Sequence, residues 1–337
     1  MKQKQIFLIG LVFSFILCLT ACGKTEKYKN LDPNKVTIIA TLFPQYDFAR
    51  QIAGEYANVV LLLPPGMESH SYDPSPADII AIQNADIFLY TGESMENWAA
   101  DIIEGIEGTV QVVDLSYHIP LVKEEEIEAE YESTHYENMH KEEGEKYKGH
   151  QHTHTGHTHI YDPHIWTNPV YAEIMAEDIA NALIESDPAH AAEYQENAKA
   201  YIAELKNLDQ EIRDTVANAK YKEVFFGGRF AMYYFTKEYG LSYEAVYDSC
   251  SSETEPSVRS VIHMVEEIKE KEIPVIYYEE LVDPRIARTI AEETGCQMLL
   301  WHSCHSVSKK ELEEGITYLD LMEQNVKHLK IGLGVGG

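Results

Sequence analysis

Imidazoles set the chemistry this chain can do. His70 stands in "PPGMESHSYDPSP", His164 in "YDPHIW", and His302 and His305 in "WHSCHSVS". A group of imidazole nitrogens suits zinc, which takes nitrogen ligands at ~2.0–2.1 Å in tetrahedral geometry. Each ring needs a carboxylate or carbonyl on its second nitrogen to fix its orientation, and Asp73 and Asp162 are the near candidates in sequence. Several carboxylate ligands would instead favour manganese, and copper and nickel also bind imidazole, so donor type narrows the metal without fixing it. No H-E-x-x-H, G-x-S-x-G or C-x-x-C occurs, which argues against a zincin, a serine hydrolase and a thiolate zinc finger. A three-ligand site beside Glu253 or Glu255 would still resemble a zinc hydrolase on paper, given an open coordination position and a general base.

A second group of histidines has a different setting. His150, His152, His154, His157 and His159 alternate with polar residues, and ten glutamates fall between Glu124 and Glu145 just upstream. The whole stretch 123–160 has few apolar residues and no period, which predicts an insert without fixed structure. These five histidines are expected to collect zinc weakly. Deleting 123–159 should preserve one tight zinc and abolish additional weaker ones.

The elements that position the first group are legible. "VTIIAT", "VVLLL", "DIFLYTG" and "VQVVDLS" read as strands, alternating with helical stretches such as "SPADIIAIQNA", where Ser75 is a cap and Pro76 sits in the first turn. A second set follows from "EVFFGG" through "YEAVYDS", "PVIYYEEL" and "QMLLWHS". Between the sets lies a run at 188–219 with Tyr194, Ala198, Tyr201, Leu205, Leu208 and Ile212 at helical spacing. The expected fold is therefore α/β: two similar lobes, each a roughly four-stranded parallel sheet flanked by helices, joined by one long rigid helix. The lobes are expected at 36–187 and 220–332. Ligands of open parallel sheets bind beyond the carboxyl ends of strands, and His70, His164, His302 and His305 all follow strands.

The beginning of the chain reads as a targeting segment. Lys2 and Lys4 precede the apolar run "IFLIGLVFSFILCLTA", which is shorter than the ~20 residues of a membrane span. "LTAC" resembles the lipobox of bacterial lipoproteins, which makes 1–21 a signal peptide, Cys22 the lipid attachment site and 22–35 a polar tether. The formal net charge is −29, from 56 acidic against 27 basic residues, and loss of 1–21 would take two lysines and no acid. Such a chain is a poor ligand for nucleic acid or an anionic membrane face. An exported compartment permits a disulfide, and Cys250–Cys304 is the expected pair.

The stretches "TLFPQYDFARQIAG", "PPGMESHSYDPSP", "NADIFLYTG", "DPHIWTNP", "YFTKEYGL", "ETEPS", "VIYYEE", "IAEETG" and "GITYLDLMEQNVKHL" together resemble the zinc-binding metal-receptor lipoproteins of bacterial ABC transporters, over nearly all of 36–332. The resemblance implies a monomeric receptor, lipid-anchored outside the cell membrane or periplasmic, that holds one transition metal between two lobes. It implies delivery to a permease powered by a cytoplasmic ATPase, and only small lobe movements. Some members are described as surface adhesins, which is the alternative role. Carried over by position, the first two ligands fall on His70 and His164 and the fourth on His305, with His302 three residues earlier also able to face the cleft. The third falls on Arg229, which offers no lone pair. Either His302 or a carboxylate of "SSETEPS" replaces that ligand while Arg229 pairs with an acid, or three protein ligands and water hold the metal. Under both, Arg229→Ala leaves zinc affinity nearly intact; a large loss would show that Arg229 supports the site.

Overall fold

The computed structural model describes residues 26–106, 108, 110–139, 160–247 and 256–336. Two four-stranded parallel sheets form its frame. The first holds β1 (Val36–Ala40), β2 (Ala57–Leu61), β3 (Ile87–Tyr90) and β4 (Gln111–Asp114), in the order β2-β1-β3-β4. The second holds β5 (Glu223–Phe226), β6 (Ser242–Ala245), β7 (Val275–Tyr278) and β8 (Gln297–Leu300), in the matching order β6-β5-β7-β8. Each order reverses beside its first strand, so the loops that leave the carboxyl ends there can converge on a ligand.

The helices of the first lobe are α1 (Phe43–Ala53), α2 (Pro76–Gln83), α3 (Ala99–Glu104), α4 (Glu124–Met139) and α5 (Pro169–Ser186). Ser75 caps α2 by accepting from Asp78 N, and Pro76 takes the first turn, where its missing N–H costs nothing. The joining helix α6 runs Ala191–Ala217, ~40 Å at 1.5 Å per residue. Its buried stripe, Tyr194 to Val216 at three- and four-residue steps, lies on α1 and α5 of the first lobe and on helices of the second. The second lobe adds α7 (Tyr233–Tyr239), α8 (Val258–Glu270), α9 (Arg285–Thr294), α10 (Lys309–Glu314) and α11 (Tyr318–Gly332).

Three apolar clusters divide the interior. The outer face of each sheet has its own small core, around Phe88 in one lobe and Phe225 in the other. The inner faces share one continuous core containing Phe48, Trp166, Tyr201, Phe226, Trp301 and Tyr318. Hydrogen bonds cross between the lobes along it. Tyr318 N donates to Asp47 Oδ2 at 2.8 Å, Tyr318 OH to Trp166 O at 2.7 Å, and Trp166 Nε1 to Ser303 O at 2.7 Å. Wide hinge opening would expose this shared core and break these bonds together, so α6 is a strut and not a hinge.

Two expectations need correction. The insert is not structureless throughout: its first part is α4, and residues 140–159 lie outside the described residues. Propensity and period do not hold α4; docking does. Tyr131 OH donates to Glu244 Oε2 at 3.0 Å, while Glu130 accepts from Tyr233 OH at 3.0 Å and pairs with Lys237 at 2.5 Å. The expected tether is also partly folded. Lys27 Nζ pairs with Asp78 at 2.7 Å and bonds Leu62 O at 3.0 Å, and Tyr28 OH bonds Asp78 at 2.5 Å. The signal segment and Cys22 lie outside the described residues.

Glu96 is buried at the carboxyl edge of the first sheet and is neutral in the arrangement that satisfies its neighbours. Thr41 Oγ1 donates to Gln45 Oε1 at 2.6 Å, so its single proton is used. Its short contact to Glu96 Oε1 must then be a bond donated by a protonated carboxyl. Thr91 N donates to the other oxygen at 3.0 Å. Burial pushes Glu96 up to about 7. A carboxyl raised on folding stabilises the fold below its unfolded value, and that contribution is lost as pH rises toward 7. Glu96→Gln is therefore expected to match the wild type in urea melts at pH 4 and to exceed it by on the order of 3 kcal/mol at pH 8. Equal stabilities at pH 8 would contradict the neutral assignment.

Candidate metal centre

The loop from 62 to 75 leaves β2 and carries Glu68 and His70. Its far end is fixed by Asp78, which accepts from Tyr72 OH at 3.1 Å and Ser75 Oγ at 2.7 Å. His164 precedes a 3-10 turn at Ile165–Thr167 and is 1% exposed. Its Nδ1 lies 3.0 Å from Asp162 Oδ1, which also accepts the His164 backbone N–H at 2.8 Å. The carboxylate fixes the proton on Nδ1, the tautomer in which Nε2 is the metal-binding nitrogen. Of the two orienting carboxylates expected from sequence, Asp162 has this role.

His305 is held by a longer relay. Ser303 Oγ donates to Glu280 Oε1 at 2.5 Å, and Ser303 N donates to Oε2 at 2.9 Å. The hydroxyl proton is thus spent, and Ser303 Oγ accepts from His305 Nδ1 in a short contact. Nε2 of His305 is again the metal-binding nitrogen. Burial holds the ring below the usual imidazole range against the opposing pull of Glu280 and Glu68, so it is neutral and able to coordinate. Glu280 is itself buried; burial would raise it, but the two hydrogen bonds from Ser303 oppose this and the carboxylate lies below its ordinary range. The first lobe steadies this loop, because Phe43 N donates to His305 O at 3.4 Å and Gly66 N to Val307 O at 2.8 Å.

The three rings come together. The His70 and His164 centroids are 5.3 Å apart, and His70 and His305 are 6.4 Å apart. Among the described residues no group of three or more His, Cys, Asp or Glu already forms a metal-holding set.

His302 does not join them. Its backbone is clasped by Asn325, which accepts from His302 N and donates to His302 O, both at 2.8 Å. Its Nδ1 accepts from Cys304 N at 2.9 Å, which puts the ring proton on Nε2 and leaves no lone pair there. Cys304 between the two histidines has a left-handed φ of 66°, and this turn sends His302 and His305 different ways. Cys304 is a free, buried thiol against His302 O, and its expected disulfide partner Cys250 lies outside the described residues. The same holds for the carboxylates of "SSETEPS", for His150, His152, His154, His157 and His159, and for any zinc they would collect.

Arg229 follows β5 through Gly227, whose missing side chain is required because a Cβ would meet Ala287 Cα at 2.6 Å. Arg229 Nη1 lies 3.4 Å from Glu68 Oε2, an ion pair between the lobes beside His70. Burial pushes the adjacent Glu279 up to about 7, opposed by Arg229. Sequence reasoning missed Glu68, Glu279 and Glu280. Their only signal was position: Glu279 and Glu280 follow β7, and Glu68 is two residues from His70.

Comparisons with known proteins place the chain in a family. Residues 38–332 match the family described as zinc-uptake complex component A, periplasmic. The high-affinity zinc uptake system protein ZnuA of Bacillus subtilis is 32% identical over 335 residues, 98% of each chain. The zinc-binding lipoprotein AdcA of Streptococcus pneumoniae is 31% identical over 98% of this chain, which spans 61% of that protein. Among solved structures, the metal-dependent lipoprotein YcdH of B. subtilis has a TM-score of 0.72 at 32% identity, covering 89% of this chain and 99% of that one. The Zn(II)-bound ZnuA-like domain of S. pneumoniae AdcA has 0.70 at 28%, covering 89% and 99%. The laminin-binding protein of Streptococcus agalactiae, described as having adhesin and metal-transporting activity, has 0.70 at 26%, covering 89% and 100%. By sequence and by fold, the chain belongs to the zinc-uptake complex component A family, substrate-binding components of zinc uptake and not enzymes.

Proposed function

We propose that this chain is an extracytoplasmic receptor that captures Zn2+ between its lobes on His70, His164 and His305 and delivers it to an ABC permease. The observation that carries this reading is the pairing of convergence with proton control. Three imidazoles approach from two lobes, and in two of them Nδ1 is committed to Asp162 or to the Ser303–Glu280 relay. Imidazole nitrogens suit a borderline cation better than a hard one. Lipid attachment at Cys22 would keep the receptor beside its permease. The core shared by the two lobes supports strut-like behaviour with little change of shape.

Untagged protein stripped of metal, titrated with Zn2+ against a chromophoric chelator, is expected to show one tight site and far weaker Mn2+ binding. A preference for Mn2+, or no tight site, would sink the reading. Because α4 is docked, the deletion that tests the histidine tract is 140–159 and not 123–159. That shorter deletion should keep the tight zinc and lose the weaker ones; loss of the tight zinc would make the tract part of the site.

A further inference from the structure

Arg229 leaves the centre one protein ligand short, and a closed tetrahedral site prefers four. Most carboxylates around the rings are committed. Asp162 holds His164 through two bonds, and Glu280 holds Ser303 through two. Glu68 differs from both. It belongs to the His70 loop, and its Oε1 accepts the His70 backbone N–H at 3.2 Å, so it moves with that ligand. Its contact with Arg229 is 3.4 Å, beyond the ~2.7–2.9 Å of a close charge-assisted bond. The side chain is 39% exposed.

We propose that Glu68 is the fourth zinc ligand and that Arg229 is its positioning residue, parking the carboxylate against the second lobe until a cation arrives. This rests on the receptor reading above. A loose, half-exposed ion pair is worth at most ~1 kcal/mol, so a dication held by three imidazoles draws the carboxylate away at little cost. The resulting set of three nitrogens and one oxygen keeps a tetrahedral site for zinc although the arginine cannot ligate.

The test uses the full chain, with Zn2+ affinity measured by chelator competition and Co2+ as a spectroscopic substitute. Glu68→Gln is expected to weaken zinc by about tenfold or more and to shift the visible Co2+ bands, because an anionic ligand is lost from the metal. Arg229→Met is expected to keep the Co2+ spectrum and to tighten zinc by no more than about fivefold, because the competitor for Glu68 is gone. Wild-type affinity and an unchanged Co2+ spectrum in Glu68→Gln would overturn the proposal and leave water as the fourth ligand. A tenfold loss in Arg229→Met would overturn the parking role. Absence of tight zinc in the wild type would remove the receptor reading itself, a distinguishable failure.

Discussion

Replacing His164 with alanine is expected to weaken zinc by about 100- to 1,000-fold without unfolding the chain. A structural zinc site is worth ~10–16 kcal/mol in all, or ~3–4 kcal/mol for each of four ligands, and each 1.4 kcal/mol is tenfold. His164 is the best prepared of the three rings, since Asp162 fixes both its backbone and its Nδ1. The fold should survive because the neighbouring Trp166 and Tyr318, which join the lobes, are untouched. Chelator competition with circular dichroism as a control checks both parts. His302→Ala is the contrasting variant: zinc affinity unchanged, since its Nε2 carries the proton, with any cost confined to stability. A large affinity loss in His302→Ala with intact fold would contradict the tautomer assigned from Cys304 N.

The second large effect belongs to a residue that touches no metal. Glu280→Gln is expected to lower zinc affinity by about 10- to 100-fold, the usual scale for a group that orients a ligand. The carboxylate accepts the Ser303 hydroxyl proton and so makes Ser303 accept from His305 Nδ1. An amide can present its NH2 to Ser303 Oγ, turning the hydroxyl proton toward His305 Nδ1. The proton of that ring then moves to Nε2, where it blocks the metal. Volume is conserved, so thermal stability should change little. Glu280→Ala adds a cavity and an unpaired Ser303 N–H, and is expected to cost about 2–4 kcal/mol in urea unfolding as well. Unaltered zinc affinity in Glu280→Gln would show that the relay does not set the His305 tautomer.

Sequence carried the frame because the physics of the frame is local. Strands such as "VTIIAT" and "DIFLYTG" are buried on both faces and read as continuous apolar runs, and Ser75, Pro76 and Gly54 mark helix ends directly. His70, His164 and His305 were readable as candidates, since each follows a strand end. The errors came where partners distant in sequence decide the outcome. α4 has no apolar period and exists by docking Glu130 and Tyr131 on the second lobe. "VIYYEE" does not say which glutamate turns inward; the Ser303 bonds decide that it is Glu280. The choice between His302 and His305 depends on one left-handed residue between them, Cys304, which no spacing rule anticipates.

The account rests on three rings converging on one cation, and anomalous diffraction at the zinc edge from crystals holding one equivalent of Zn2+ tests it most directly. The expected result is a single strong peak between the lobes, with Nε2 of His70, His164 and His305 at ~2.0–2.1 Å. A peak held by His302, a peak lacking any one of the three rings, or no peak in the cleft would contradict it.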